Sequence, residues 1–187
     1  PGTAGLESDP FPRRARGGSL RIAAARAKGD SVTSISTSAS VVIPHPREEV
    51  FAFATDMSNT PRTIRPRGPF AGIRKVEMRE GQSLAKGSKR RIFMTDGSVL
   101  DETTLEYDPP VRHRYGWTGG VKPPFSLLIR SGTGNWEFTE TDGGTRIVWT
   151  YTFGLTSPLA YPLAMPIAWL FKGFLQQGLD ALRAELP

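Results

Sequence analysis

The sequence predicts an α+β fold in which a curved antiparallel sheet of about seven strands wraps around one long C-terminal helix. Residues 73–153 consist of short strand patterns separated by turn signals, and residues 157–186 carry an apolar stripe with helical spacing. An antiparallel sheet buries one face, and this helix is the only long element available to cover it. A twisted sheet touches a single helix imperfectly, so we expect a cavity between them.

Size and composition exclude several classes of site. The 187 residues suffice for one domain and a tail, and that domain can bury a core without a metal or a disulfide. The chain has no cysteine, which excludes disulfides, thiolate zinc sites, iron–sulfur clusters and a cysteine nucleophile. Its two histidines, His45 and His113, argue against a multi-histidine metal site. We therefore expect neither a metal nor a cofactor.

Half of the net charge of +6 lies in residues 1–30, which carry six basic and three acidic residues. This segment has one aromatic residue, so we expect a flexible basic arm followed by a ligand-binding domain over residues 31–187. A basic arm is typical of a tether to nucleic acid or to a membrane, and the alternative is a solvated leader or a remnant of an organelle transit peptide. We prefer the second interpretation, which needs no partner, and expect no nucleic-acid partner. The expected location is cytoplasmic, or an organelle if the arm is a transit remnant.

The first elements are a strand and one or two short helices. Ser31–Ile43 is rich in β-branched residues and serine, which indicates a strand. Pro46 suits the first turn of the helix that follows, and the apolar face of this helix runs through residues 50–54. A second short helical or irregular piece is expected over Met57–Arg65, before the next proline.

The middle of the chain predicts strand after strand. The segments Ser88–Thr95 and Ser98–Tyr107 flank Asp96-Gly97, which predicts a hairpin with a two-residue turn. The other strands are expected at Ile73–Glu80, Val111–Thr118, Phe125–Thr139 and Thr145–Phe153.

The last element is predicted to be a long helix. Ser157 suits the N-cap and Pro158 the first helical position, while Pro162 and Pro166 should distort or delay the first turns. The regular part is therefore expected over about Ile167–Glu185. The stripe that faces the sheet comprises Ala164, Ala168, Phe171, Leu175, Leu179, Leu182 and Leu186.

Several short pieces, in this order and spacing, resemble a known family. They are Val42–Phe51 at the first strand–helix junction, Lys86–Arg91 around a glycine, Leu105–Pro110 with its acidic-aromatic-Asp-Pro pattern, and Gly143–Ile147 at the last turn. The chain resembles the START-like helix-grip superfamily (SRPBCC), specifically its polyketide cyclase/dehydrase and lipid-transport branch. The resemblance implies an apolar cavity for a hydrophobic small molecule. It implies no catalytic residue, because the superfamily has no shared catalytic motif.

Strand alternation indicates which side chains point toward the expected cavity. In Val111–Thr118 the odd positions carry His113, Tyr115 and Trp117, whereas two arginines occupy the other face. These aromatic residues are either ordinary core or the wall of a cavity for a planar ligand. The candidate ligand-binding residues are Trp117, Trp136, Phe138, Trp149, Tyr151, Phe153, Trp169 and Phe171.

The candidate catalytic residues are His113, Tyr115 and Asp101. His113 could act as a general acid or base with Tyr115 as a hydrogen-bond donor, or it could be a structural histidine. Asp101 and Glu102 are adjacent in one strand, so regular pairing sends one of them inward, unless a bulge turns both outward. An inward carboxylate needs a partner such as Arg90 or Arg130.

Two functions remain open at this point. The chain is expected to bind a hydrophobic or aromatic small molecule and to catalyse cyclisation or dehydration of a polyketide-like substrate. Alternatively, it is a non-catalytic carrier or sensor with the same cavity. The sequence leaves the ligand and the oligomeric state open.

Overall fold

The structure, a computed structural model, describes residues 33–79 and 83–186, which form seven strands and three α-helices. The arm expected over residues 1–30 lies outside the described residues. The strands are β1 (Ser34–Ile43), β2 (Ile73–Met78), β3 (Lys89–Met94), β4 (Val99–Asp108), β5 (Arg112–Thr118), β6 (Ile129–Thr141) and β7 (Gly144–Leu155). The helices are α1 (Arg47–Thr55), α2 (Thr60–Thr63) and α3 (Tyr161–Glu185).

All seven strands join one antiparallel sheet in the order β1-β7-β6-β5-β4-β3-β2. Strands β2 to β7 therefore form a meander of sequential neighbours, and β1 pairs with β7 as an edge strand. The two short helices α1 and α2 follow β1, as the sequence predicts. The predicted architecture is confirmed.

Helix α3 lies against the concave face of this sheet and contacts β1 and β7. Its buried side includes Ala164, Ala168, Phe171, Leu175, Leu179 and Leu182, which are six of the seven residues of the predicted stripe. The small residue Gly178 brings the helix close to the sheet, because a Cβ there would lie 3.2 Å from the Trp149 ring. At Gly178 the helix therefore packs directly on the aromatic side of the sheet.

The start of α3 differs from the prediction. Ser157-Pro158 begins a short 3₁₀ turn over Pro158–Ala160, and α3 then starts at Tyr161 and continues through Pro166 without interruption. Pro162 lies in the first helical turn, where an N–H has no intrahelical partner. The carbonyl that Pro166 leaves unpaired lies on the exposed side of the helix, where water can satisfy it. The prolines therefore shift the helix start far less than expected.

Two loops also differ from the prediction. The β3–β4 hairpin closes with a three-residue loop, because Gly97 has a positive φ of 79° and donates its N–H to the Met94 carbonyl, while Ser98 accepts from the Met94 N–H. Residues Phe125–Leu127 form a 3₁₀ turn rather than the start of β6. Pro124 directs the chain into that turn by adopting helical dihedral angles. Within the described ranges, no helix is both long and apolar enough to cross a membrane.

Candidate functional site

A cavity of about 180 Å³ lies between the concave face of the sheet and α3. The loops around Phe70 and Phe125, together with residues of α1 and α2, contribute the rest of its wall. The Phe70 ring stacks on Phe125 and meets Phe171 edge to face. Eight of the eleven residues predicted from the sequence line the cavity: His113, Tyr115, Trp117, Trp136, Trp149, Tyr151, Phe153 and Phe171.

Phe138 and Trp169 do not line the cavity, which corrects their prediction as ligand-binding residues. Phe138 is fully buried against Phe51, with the ring centroids 5.0 Å apart, and belongs to the core beyond the cavity. Trp169 is 74% exposed, because it lies on the side of α3 opposite the buried stripe. Neighbouring positions on a helix point in different directions, and Phe171 two residues later does reach the cavity.

Asp101 lies on the outer face of the sheet, which corrects its prediction as a catalytic residue. In β4 the even positions from Leu100 to Thr104 are buried, so Asp101 is exposed. Its carboxylate accepts hydrogen bonds from Arg91 Nε at 2.9 Å and from Arg79 Nη1 at 3.0 Å. The Arg91 hydrogen bond is the main cause that lowers the pKa of Asp101. This is an ordinary surface ion-pair cluster.

The adjacent residue, Glu102, is the carboxylate that enters the cavity. It pairs across the hairpin with Arg90, and Arg90 Nε donates a hydrogen bond to Glu102 Oε1. Both side chains are buried, at 9% and 7% exposure. Burial raises the pKa of Glu102 above its usual value, and the charge and hydrogen bond of Arg90 partly oppose this. The sequence reasoning named Arg90 as a partner but assigned the inward position to Asp101.

The guanidinium of Arg90 retains unused hydrogen-bond donors. Its Cζ lies 5.3 Å from the centroid of the Tyr115 ring, as in a cation–π contact. In the part of the chain that the structure describes, the Arg90 side chain makes no hydrogen bond beyond the one to Glu102, so both Nη nitrogens are unpaired. They are available to an oxygen atom of a ligand.

His113 lies beside this ion pair and is uncharged. Burial is the main cause that lowers its pKa to about 3, and the positive charge of Arg90 adds to the effect. Its ring contacts Tyr107 and Tyr115, with centroids 5.6 and 5.3 Å away. Its Nε2 atom is buried without a hydrogen-bond partner among the described residues. A buried polar atom without a partner in a cavity wall is a position at which a ligand can form a hydrogen bond.

Two tyrosine hydroxyls add hydrogen-bonding groups to the wall of the cavity. Trp136 Nε1 donates to the Tyr115 hydroxyl at 3.3 Å, and Trp117 Nε1 donates to the Tyr151 hydroxyl at 2.5 Å. Burial raises the pKa of both phenols, so both stay protonated at neutral pH. Each hydroxyl therefore accepts from an indole and keeps its own proton for another acceptor.

Two glycines of β6 make room for the large side chains of β5. Gly134 pairs with Tyr115 and Gly132 with Trp117 across the strands. A Cβ at either glycine would lie within 2.6 Å of ring atoms of the residue opposite. The rings of Tyr115 and Trp117 therefore pack directly against the backbone of the two glycines, which glycine permits because it has no side chain.

The sequence model of one family, described as polyketide cyclase / dehydrase and lipid transport, matches residues 34–187. The chain belongs to this family. The resemblance carried by the short sequence pieces is thereby confirmed at the family level. The curated proteins contain no match to the sequence.

Solved structures with the same fold include proteins of different kinds, all at low identity. The protein Ara h 8.0201 is 17% identical with a TM-score of 0.59, over 82% of this chain and 100% of its own. BexL, a di-domain ARO/CYC from the BE-7585A biosynthetic pathway, is 19% identical with a TM-score of 0.61, over 82% of this chain and 50% of its own. A protein of Thermus thermophilus is 21% identical with a TM-score of 0.59, over 81% and 97%. These likenesses show that this polyketide cyclase / dehydrase and lipid transport family member has the helix-grip fold.

Proposed function

We propose that this protein binds an aromatic or polyketide-like small molecule in its cavity and catalyses cyclisation and dehydration of that molecule. The observation that carries the proposal is the buried Arg90–Glu102 pair, with His113 and Tyr115 beside it, in a cavity whose other walls are mainly apolar. Burying two charges costs several kcal/mol per ion, so the pair is a poor device for stability alone. A function in which the ligand uses these charges explains its position.

The chemistry that suits these groups is proton transfer at a carbon between two carbonyl groups. Glu102 removes the proton, and the Nη nitrogens of Arg90 donate hydrogen bonds to the enolate oxygen that forms. The enolate carbon then attacks a second carbonyl of the same molecule. The oxygen of the attacked carbonyl takes the proton from Glu102 and becomes a hydroxyl. Glu102 then removes a second proton from the same carbon and delivers it to the departing hydroxyl, which leaves as water. Tyr115 and His113 orient the oxygens.

The size of the cavity limits the ligand. A cavity of about 150 Å³ in another protein holds one benzene molecule. The volume of about 180 Å³ here therefore suits one or two rings.

A second function is non-catalytic carriage or sensing of such a molecule. The lowered pKa of His113 favours this alternative, because an imidazole with a pKa of about 3 is a weak base. In a carrier, Arg90, His113 and Tyr115 would only hold the oxygens of the ligand.

The experiment compares Glu102→Gln with its matched control Asp101→Asn, the carboxylate one residue away on the outer face. Each protein is incubated with an aryl poly-β-ketone, and loss of water is followed by mass spectrometry while binding is measured by calorimetry. We expect Glu102→Gln to lower the rate by at least about 100-fold and Asp101→Asn to leave it unchanged. Unchanged turnover in Glu102→Gln would overturn the mechanism, and binding without turnover in the unmodified protein would establish the carrier.

A further inference from the structure

The outer side of α3 and the turn before it expose a group of large apolar side chains, here called the apolar patch. Leu159 is 87% exposed and Trp169 is 74% exposed. The other members are Leu163, Met165 and Leu170. Together they expose on the order of several hundred Å², which is large for a single protein surface and marks a site of interaction.

The patch is a second apolar face on an already amphipathic helix. Its residues lie opposite Ala164, Ala168 and Phe171, which face the sheet. Residues 157–171 contain no charged side chain, and the first charge on α3 is Lys172. A helix that is apolar on both sides lies at a contact with something other than water.

We propose that the apolar patch docks on the surface of an anionic lipid bilayer. Residues 157–179 contain no acidic side chain, so nothing on this part of the helix repels an anionic surface. An exposed tryptophan among leucines is typical of side chains that insert at the level of lipid headgroups.

The basic N-terminal segment joins the domain beside this patch. The carbonyl of Thr33, the first described residue, accepts a hydrogen bond from the Leu155 N–H at 2.8 Å, and Leu155 precedes Leu159 by four residues. Residues 1–30 carry three more positive than negative charges. A moderate apolar surface and a cluster of basic residues are the two signals that together give stable binding to an anionic membrane.

The same charges disfavour a second copy of this chain as the occupant. A symmetric dimer through the patch would bring the Lys172 side chains of both copies to one interface. Like charges at an interface weaken association, whereas anionic lipids neutralise them.

Docking in this orientation places one wall of the cavity at the membrane. Ile167, Phe171 and Phe174 line the cavity from the inner side of the same helix. Docking would therefore hold the cavity about one helix diameter from the bilayer surface. This inference does not depend on the proposed catalysis.

The test is flotation of the full chain with vesicles of phosphatidylcholine alone and of an equal mixture of phosphatidylcholine and phosphatidylglycerol. We expect binding to the mixed vesicles only, weakened at high salt. The double substitution Leu163→Gln with Trp169→Gln should lower the bound fraction at least about tenfold. Because Trp117, Trp136 and Trp149 are buried, a blue shift of the fluorescence on binding reports Trp169.

The matched control is Val42→Gln with Leu105→Gln, two exposed apolar residues on the outer face of the sheet. It should bind vesicles like the unmodified chain. Equal binding by the two double variants would overturn the proposal, as would failure of the unmodified chain to bind mixed vesicles. A dimer that only the patch variant abolishes would assign the patch to a second copy instead. Vesicle binding that persists in a catalytically inactive Glu102→Gln protein separates this proposal from the proposed function.

Discussion

At the scale of single residues, the ion pair of Arg90 and Glu102 makes a sharp prediction about stability. Glu102→Ala leaves the Arg90 charge buried without a partner, which should lower the free energy of unfolding by about 3–5 kcal/mol. The double substitution Arg90→Met with Glu102→Leu removes both charges and keeps the volume, so it should recover most of that loss. Unfolding in urea, followed by circular dichroism, measures both variants.

The control for that prediction is Asp101→Ala, which removes the carboxylate that pairs with Arg91 on the outer face. Asp101 is exposed, so its removal should change the stability only slightly. If Arg90→Met with Glu102→Leu were as unstable as Glu102→Ala, this account would be contradicted. The buried ion pair would then stabilise the fold more than apolar side chains can. A double variant that is stable but no longer binds a phenolic ligand would support a functional reason for the pair.

The same four residues show why the sequence alone did not identify the inward carboxylate. The β3–β4 hairpin has an arginine opposite an acid on each face, with Arg90–Glu102 inside and Arg91–Asp101 outside. Charge complementarity therefore fits both orientations of the hairpin. The apolar neighbour Ile92 on the inner face was the available signal, because alternation in β3 places it on the same side as Arg90.

At the scale of elements, the pairing of β5 with β6 depends on Gly134. A Cβ at this position would lie within 2.6 Å of three atoms of the Tyr115 side chain. Gly134→Ala should therefore push Tyr115 into the cavity, lower the free energy of unfolding by about 1–3 kcal/mol and weaken ligand binding. Thermal unfolding and calorimetry with a phenolic probe measure the two effects.

Gly143→Ala is the matched control for this substitution. Gly143 lies in the turn before β7, and the nearest atom to an added Cβ is on Val42 at 3.9 Å, an ordinary contact. This variant should retain both stability and binding. If Gly134→Ala behaved in the same way, Tyr115 would have to move without disturbing the cavity, and the packing argument would be wrong.

Element identity was easier to predict than loop geometry, for a physical reason. The stripe of α3 repeats over many residues, and its buried positions matched the prediction nearly throughout. The hairpin loop depends on three residues, and Asp96-Gly97 is compatible with either a two-residue or a three-residue loop. The start of β6 was also misplaced, because Phe125 has strand propensity but follows two prolines.

At the scale of the whole molecule, the fold followed from element order but the cavity did not follow from composition. Trp136, Trp149 and Tyr151 have the same alternation in a packed core as in a cavity wall, so the pattern of one strand cannot separate the two. The space depends on how far the curved sheet stands away from α3. The position of Trp169 outside the cavity has the same origin, because it depends on which arc of α3 the sheet covers.

The response of the whole molecule to acid follows from the buried neutral His113. Burial and the charge of Arg90 hold its pKa at about 3 in the folded protein, against about 6.5 in the unfolded chain. Between these values the unfolded chain binds a proton that the folded chain does not bind. The free energy of unfolding therefore falls as the pH falls from about 6.5 toward about 3. Glu102 acts in the opposite sense, because its raised pKa lets the folded protein take up a proton first.

The substitution His113→Phe isolates the histidine contribution, because Glu102 is present in both proteins and phenylalanine keeps the contacts with Tyr107 and Tyr115. We expect the unmodified protein to lose about 2 kcal/mol more stability than His113→Phe between about pH 7 and about pH 4.5. Urea unfolding at the two pH values measures the difference. Equal losses would show that His113 is charged or solvated in the folded protein, and would remove the neutral imidazole from the proposed site. If the unmodified protein loses more free energy of unfolding than His113→Phe, the acid sensitivity of the fold is due to His113, the residue that also lines the cavity.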